Sequence, residues 1–294
     1  MFDLRYHVAS LAAVFLALIV GILVGVALSN PDLVEQTELD LQQEQIARLN
    51  EQLDDARSRV DQQRAAESFV DAAYDAVMSD RLAGRQIVVV FVGSVKRGPG
   101  LNSAVERALA DAGADVVRLR ALTVPVDAEA LQSRLAGRPA LAGYLGEDHL
   151  SDLGRDLGRE LVEGGETPLW DVLAGELVAE RRGPAQPEAD GVVVLRSSGP
   201  QAGDSARFLS GLYDGLEGSA PVVGVEATNS EPTAIPVFRR ARFSSVDSID
   251  TRPGKVALAV LLEGRTSGHY GLKESADAVL PTIEPVEPQP EAGG

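Results

Sequence analysis

The chain has 294 residues, 45% of them hydrophobic and 24% charged, with a formal net charge of −17 at pH 7. Acidic residues outnumber basic ones by 44 to 27, which argues against a nucleic-acid surface, since such surfaces work by neutralising phosphates with Lys and Arg. Cysteine is absent, so disulfides, thiolate metal sites, iron–sulfur clusters and cysteine nucleophiles are excluded.

After a short stub (1–7), the stretch Val8–Leu28 carries no charge. About twenty such residues cross a ~30 Å hydrocarbon core, and the run exceeds the apolar region of a cleavable secretory signal, the main competing reading. It is therefore read as a transmembrane helix that contacts lipid. Arg5 precedes it and the first basic residue beyond it is Arg48, so the positive-inside rule puts the N-terminus in the cytoplasm and the remainder outside, with the inner membrane as the expected anchor site. Ala9, Ala13, Ala17, Gly21, Gly25 and Ser29 recur at a spacing of four. Such a row of small residues lets helix backbones approach closely in lipid.

Residues 32–80 are expected to form a helical stalk. Leu39, Ile46, Leu53 and Val60 fall seven apart, and Leu49 and Ala56 fill the companion positions with Gln42, Gln63, Val70 and Val77. Alternating spacings of three and four put both rows on one seam, as a coiled coil requires, and a homo-oligomer, first of all a dimer, is the expected partner arrangement. The competing reading packs this helix on its own domain.

From Arg85 the pattern becomes that of an α/β domain over residues 85–281. Ile87–Val92 is a continuous β-branched and aromatic run, typical of a strand buried on both faces. A glycine-rich loop, Gly93–Gly100, leads to a helix near Asn102–Ala112 and a strand near Val116–Leu119. Helices are expected near 127–136, 148–163, 169–182, 204–216 and from Pro253 to Glu263, and strands at Gly191–Leu195 and Val222–Val225. This alternation predicts a Rossmann-like, mostly parallel sheet covered by helices on both faces. A transmembrane β-barrel is disfavoured, because the strand candidates are short and continuously apolar rather than alternating. The tail, 282–294, rich in Pro and Glu, is expected to be extended or disordered.

Chemistry-bearing motifs are few. The Gly93–Gly100 loop lies where phosphates are often held, but it lacks both the dinucleotide fingerprint and the Lys-Ser/Thr of a P-loop, and it reads mainly as a turn. Glu147, Asp148 and His149, with Asp152, form the best cluster of potential ligands for Zn²⁺ or Cu²⁺. The same acidic residues also suit a helix N-terminus. His269 is a further metal candidate, although Gly268-His-Tyr-Gly271 reads as a turn. Asp247 and Asp250 lie three apart, and capping of the helix after Pro253 explains them as well as metal binding does. No nucleophile elbow, zinc-protease motif or kinase set occurs, so no catalytic residue and no resident cofactor is expected.

Two stretches carry a family resemblance. Leu4-Arg5-Tyr6-His7 running into Ser10–Leu18, with Gly21 and Gly25, resembles the start of the actinobacterial MctB-type copper transport proteins. Val246-Asp247-Ser248-Ile249-Asp250-Thr251, Gly254-Lys255-Val256-Ala257-Leu258, and His269-Tyr270-Gly271 with Leu280-Pro281 are similar to that family's C-terminal signature. The resemblance implies copper homeostasis, with copper ion as a transported or weakly bound species, and an outer-membrane location. The residues point elsewhere on one count: copper(I) prefers Cys and Met, and Met78 is the sole such residue after Met1. The alternative is an envelope or cell-division scaffold that presents its α/β domain to partner proteins.

Overall fold

The computed structural model describes residues 4–28, 31–93, 100–218 and 220–285. Helix α1 (Leu4–Leu28) and helix α2 (Pro31–Met78) come first. Within α1, His7–Val26 has mean hydropathy 2.7 and is long and apolar enough to cross a membrane. Ala9, Ala13, Ala17, Gly21 and Gly25 lie along it, while Ser29 falls outside the described residues. Along α2, Ile46, Leu49, Leu53, Ala56 and Val60 are exposed, and the side chain of Leu39 lies outside the described set. The chain divides into two compact units, Met1–Ser68 and Phe69–Gly294.

The second unit is built on one seven-stranded sheet. In chain order it contains β1 (Gln86–Val92), α3 (Leu101–Asp111), β2 (Asp115–Leu122), α4 (Ala128–Ala136), α5 (Leu150–Glu163), α6 (Pro168–Leu177) and β3 (Val178–Arg182). Then follow β4 (Gly191–Arg196), α7 (Gly203–Leu216), β5 (Val222–Val225), α8 (Ile235–Arg240), β6 (Ser244–Val246), α9 (Arg252–Leu262) and β7 (His269–Tyr270). The strand order is β3-β2-β1-β4-β5-β6-β7, parallel throughout except where β3 pairs antiparallel with β2. Chain direction across the sheet reverses between β1 and β4, the kind of crevice in which open α/β sheets place ligands. The mostly parallel α/β architecture expected from the alternation of elements is the one observed.

The continuous apolar runs of β1 and β4 sit centrally because both of their faces are covered. On one face lie α3, α9 and the end of α2, through Tyr74 and Met78. On the other lie α4 to α8, around Leu131, Leu157, Trp170, Phe208 and Phe238. Tyr74, which continues the row of Val60 in seven-residue steps, and Met78 are buried in the domain core, whereas Ile46, Leu49, Leu53 and Val60 are exposed.

Helices α5 and α7 touch backbone to backbone. Gly154 and Gly158 face Gly211 and Gly215. A Cβ at Gly158 would stand 2.5 Å from the Leu212 oxygen, and one at Gly215 would stand 2.9 Å from the Arg155 Cα. Only glycine permits so close a crossing, which brings Leu153, Leu157, Phe208 and Leu212 into one core.

Three expectations are corrected. The helix expected over 169–182 stops at Leu177, and Val178–Arg182 turns into the antiparallel edge strand. Its exposed Glu180, Arg181 and Arg182 leave no apolar face for a helix to bury, and their charges suit a sheet edge that must resist further pairing. His269 belongs to a strand rather than a turn. The cap of α9 is Thr251, whose hydroxyl accepts from the Gly254 N–H at 3.1 Å, and neither Asp247 nor Asp250 fills that role. Short elements α8, β6 and β7 went unforeseen.

Candidate functional site at the carboxyl end of the sheet

Where β5 and β6 end, an acidic residue follows the strand directly, and both lie close to the end of β7. Glu226 follows β5 and is fully buried. Its Oε1 accepts from the Thr233 hydroxyl at 2.8 Å, its Oε2 accepts from the Ala234 N–H at 2.6 Å, and Lys273 Nζ forms an ion pair with Oε1. Such burial of a carboxylate is sustainable because a cation and two donors compensate its lost hydration.

Asp247 follows β6 and is also buried. It accepts the N–H groups of Leu272 at 2.7 Å and Lys273 at 3.1 Å, so it fixes the turn that carries Lys273 to Glu226. Gly271, at φ +147°, packs so closely on this carboxylate that any side chain there would overlap it. Asp250 accepts from the Thr228 N–H at 2.7 Å and from its hydroxyl at 2.9 Å, tying the β5 loop to the β6 loop. Gly254 packs against the Ser248 carbonyl, where a Cβ would clash. The C-terminal signature residues thus form a polar clasp that joins the last three strands to the start of α9.

His269 stands beside this clasp on β7. Its Nδ1 is 2.9 Å from the Ser245 hydroxyl, and its backbone N–H donates to Asp277 at 2.9 Å. Burial, reinforced by nearby Arg239 and opposed by Asp277, lowers its pKa below the usual 6.5. A neutral imidazole with one nitrogen engaged by Ser245 retains one nitrogen for another partner.

The acidic cluster sits elsewhere in the fold. Glu147, Asp148 and His149 make a single 3-10 turn leading into α5, and all three are exposed. Three of the four charges have surface partners: His149 Nδ1 lies 3.7 Å from Asp152, Asp152 lies 2.7 Å from Arg155, and Glu147 lies 3.9 Å from Arg207. Among the described residues, no three His, Asp or Glu side chains converge as a metal ion would require. The structure therefore does not gather Glu147, Asp148, His149 and His269 into one site. Met78 is buried against the domain core and presents no exposed thioether. Of the loop Gly93–Gly100, residues 94–99 lie outside the described set; Gly100 precedes α3 and supplies no side-chain cap.

Sequence reasoning passed over Glu226 and Lys273. The available signal was a lone acidic residue directly after the strand run Val222–Val225, where a polar residue at a strand's carboxyl end falls in the ligand-binding region of such sheets.

Comparison with known proteins agrees with the two sequence motifs. The family model described as copper transport outer membrane protein, MctB, matches residues 1–281. The chain is 27% identical over 320 residues to the copper transporter MctB of Mycobacterium tuberculosis (strain ATCC 25618 / H37Rv), covering 95% of this chain and 99% of the relative. The copper transporter MctB of Mycobacterium bovis (strain ATCC BAA-935 / AF2122/97) matches at the same identity and coverage. From its membrane-helix start to the clasp at its last strands, the chain belongs to the MctB copper transport family.

Proposed function

We propose that this chain is a non-enzymatic envelope protein of copper homeostasis. In this reading α1 anchors it in the inner membrane, α2 joins it to a second copy, and the α/β domain stands outside the cytoplasm. The observation that carries the proposal is the family match over residues 1–281, which includes both the apolar helix and the polar clasp. The transport itself is assigned to an assembly or a partner rather than to this polypeptide alone. Buried Met78, the absence of Cys and the dispersed His residues supply no soft-ligand path for copper(I). A single apolar helix encloses no pore.

The experiment is cell-associated copper in a deletion strain under copper load, complemented with this chain. Copper should accumulate in the deletion strain and return to the parental level on complementation. Unchanged copper would refute the proposal. A second reading, an envelope or division scaffold, is favoured by the exposed seam Ile46, Leu49, Leu53 and Val60. It predicts failed septation or leaking envelopes with copper unaltered.

A further inference from the structure

Arg196 closes β4 on the face of the sheet covered by α7, and 6% of its surface is exposed. Its Nε donates to the Ser198 carbonyl at 2.8 Å, one Nη to the Tyr213 hydroxyl at 2.8 Å, and the other Nη to the Gly199 carbonyl at 2.6 Å. These three bonds use part of a guanidinium that carries five N–H donors. No carboxylate lies within 4 Å of it among the described residues. Buried cations are normally paired, because an isolated charge loses its hydration without compensation. The contrast with Glu226, which has a lysine and two donors, is plain.

Arg196 also lines a cavity of about 380 Å³ between the turn at Pro200–Gln201, α7 and α8. Leu209 and Val237 supply apolar wall, and Arg207 and Arg240 add two further cations to the lining. Arg207 is shared with Asp204 and Glu147, whereas Arg240 has no ion-pair partner among the described residues. Asp214 is the single acidic residue in the lining. In a chain of net charge −17, three arginines around one apolar cavity mark a local reversal of sign.

We propose that this cavity binds an organic carboxylate with a compact apolar body, the carboxylate serving as the counter-ion that Arg196 lacks. A single negative charge matches one buried guanidinium, whereas a doubly charged phosphate would meet about twice the repulsion from Asp214 in the lining. The volume falls within the range of about 300–1,000 Å³ typical of small-molecule sites. This inference does not depend on the copper reading.

The test is ¹⁹F NMR line broadening of 6-fluoro-2-naphthoate with the full chain in phosphatidylcholine nanodiscs, corrected for broadening by empty nanodiscs. Saturable binding is expected, at least tenfold weaker for the neutral 6-fluoro-2-naphthamide and for the corresponding aryl phosphate. Arg240→Gln should weaken it at least threefold, and Ala206→Trp, which fills the cavity from α7, should abolish it. Both positions are partly or fully exposed, so the fold should tolerate these changes. The proposal is overturned by no saturable binding, by equal binding of acid and amide, or by binding that survives both substitutions. Tighter binding of the phosphate would overturn the assignment to a carboxylate.

Discussion

Replacing Gly211 with alanine inserts one carbon into the contact between α5 and α7. The new Cβ would stand 2.9 Å from the Ser151 Cα and closer still to the Ser151 carbonyl. Both obstacles are backbone, so relief requires the helices to separate rather than a side chain to swing away. Overpacking of this kind costs about 1–3 kcal/mol, and the rigidity of the contact places it at the upper end. Alanine returns about 1 kcal/mol through its better helix propensity, leaving a net loss of about 2 kcal/mol. For a domain of this size that is about 4–8 °C in melting temperature. Trp170, the chain's single tryptophan, donates its indole N–H to the Leu157 carbonyl of α5 at 2.7 Å and reports directly on this layer. Its fluorescence during thermal unfolding of the full chain in detergent gives the measurement. Gly175→Ala is the control: it lies within α6 with nothing within 4 Å of a Cβ, and it should be neutral or raise the melting temperature. A Gly211→Ala protein as stable as the parent would refute the backbone-contact reading.

Three further outcomes are expected. Lys273→Met should cost about 3–5 kcal/mol because it leaves Glu226 charged and buried without its cation, and adding Glu226→Gln should recover much of that loss in denaturant titration. His269 has a folded-state pKa below 6.5, so the unfolded chain binds more protons in the window beneath that value. Its contribution to stability is full above pH 6.5 and is lost as pH falls through the lowered pKa; a plot of melting temperature against pH should flatten there in His269→Asn. If α2 joins two copies as proposed, Leu49→Asp with Leu53→Asp, which puts charge on its exposed apolar row, should shift the full chain to monomer in sedimentation experiments.

The parallel sheet could be read from the sequence because β1, β4 and β5 are continuous apolar runs, and α3, α4 and α7 have the length that lets a helix show its period. Elements of two to six residues, such as β6, β7 and α8, are too short to carry a period of either kind. Their positions come from tertiary partners: β7 exists where its neighbour β6 offers a ladder. Val178–Arg182 misled because charged residues in an apolar neighbourhood read as an exposed helical turn, whereas pairing with β2 decided the outcome. The spacing of four that makes a row of small residues in α1 recurs at Gly154/Gly158 and Gly211/Gly215, where α5 and α7 meet. The metal candidates failed to converge because adjacency in sequence within an exposed turn spreads side chains around the backbone. The signature around Asp247 was visible as a pattern, but its work in pinning Leu272 and Lys273 required the fold.

The foot of α2 and the described end of the chain share one anchor. Arg81 pairs with Glu263 at 2.6 Å, accepts no solvent role with its side chain 3% exposed, and donates to the Glu284 carbonyl at 3.1 Å. Tyr74 hydrogen-bonds Asp111 of α3 at 2.6 Å, and Arg252 at the start of α9 pairs with Asp71 at 2.9 Å. Tension arriving along the helix therefore enters the domain through α3 and α9, which lie against the central strands. Pulling in this direction loads a buried helix at both its ends at once. The domain should resist such force as a block.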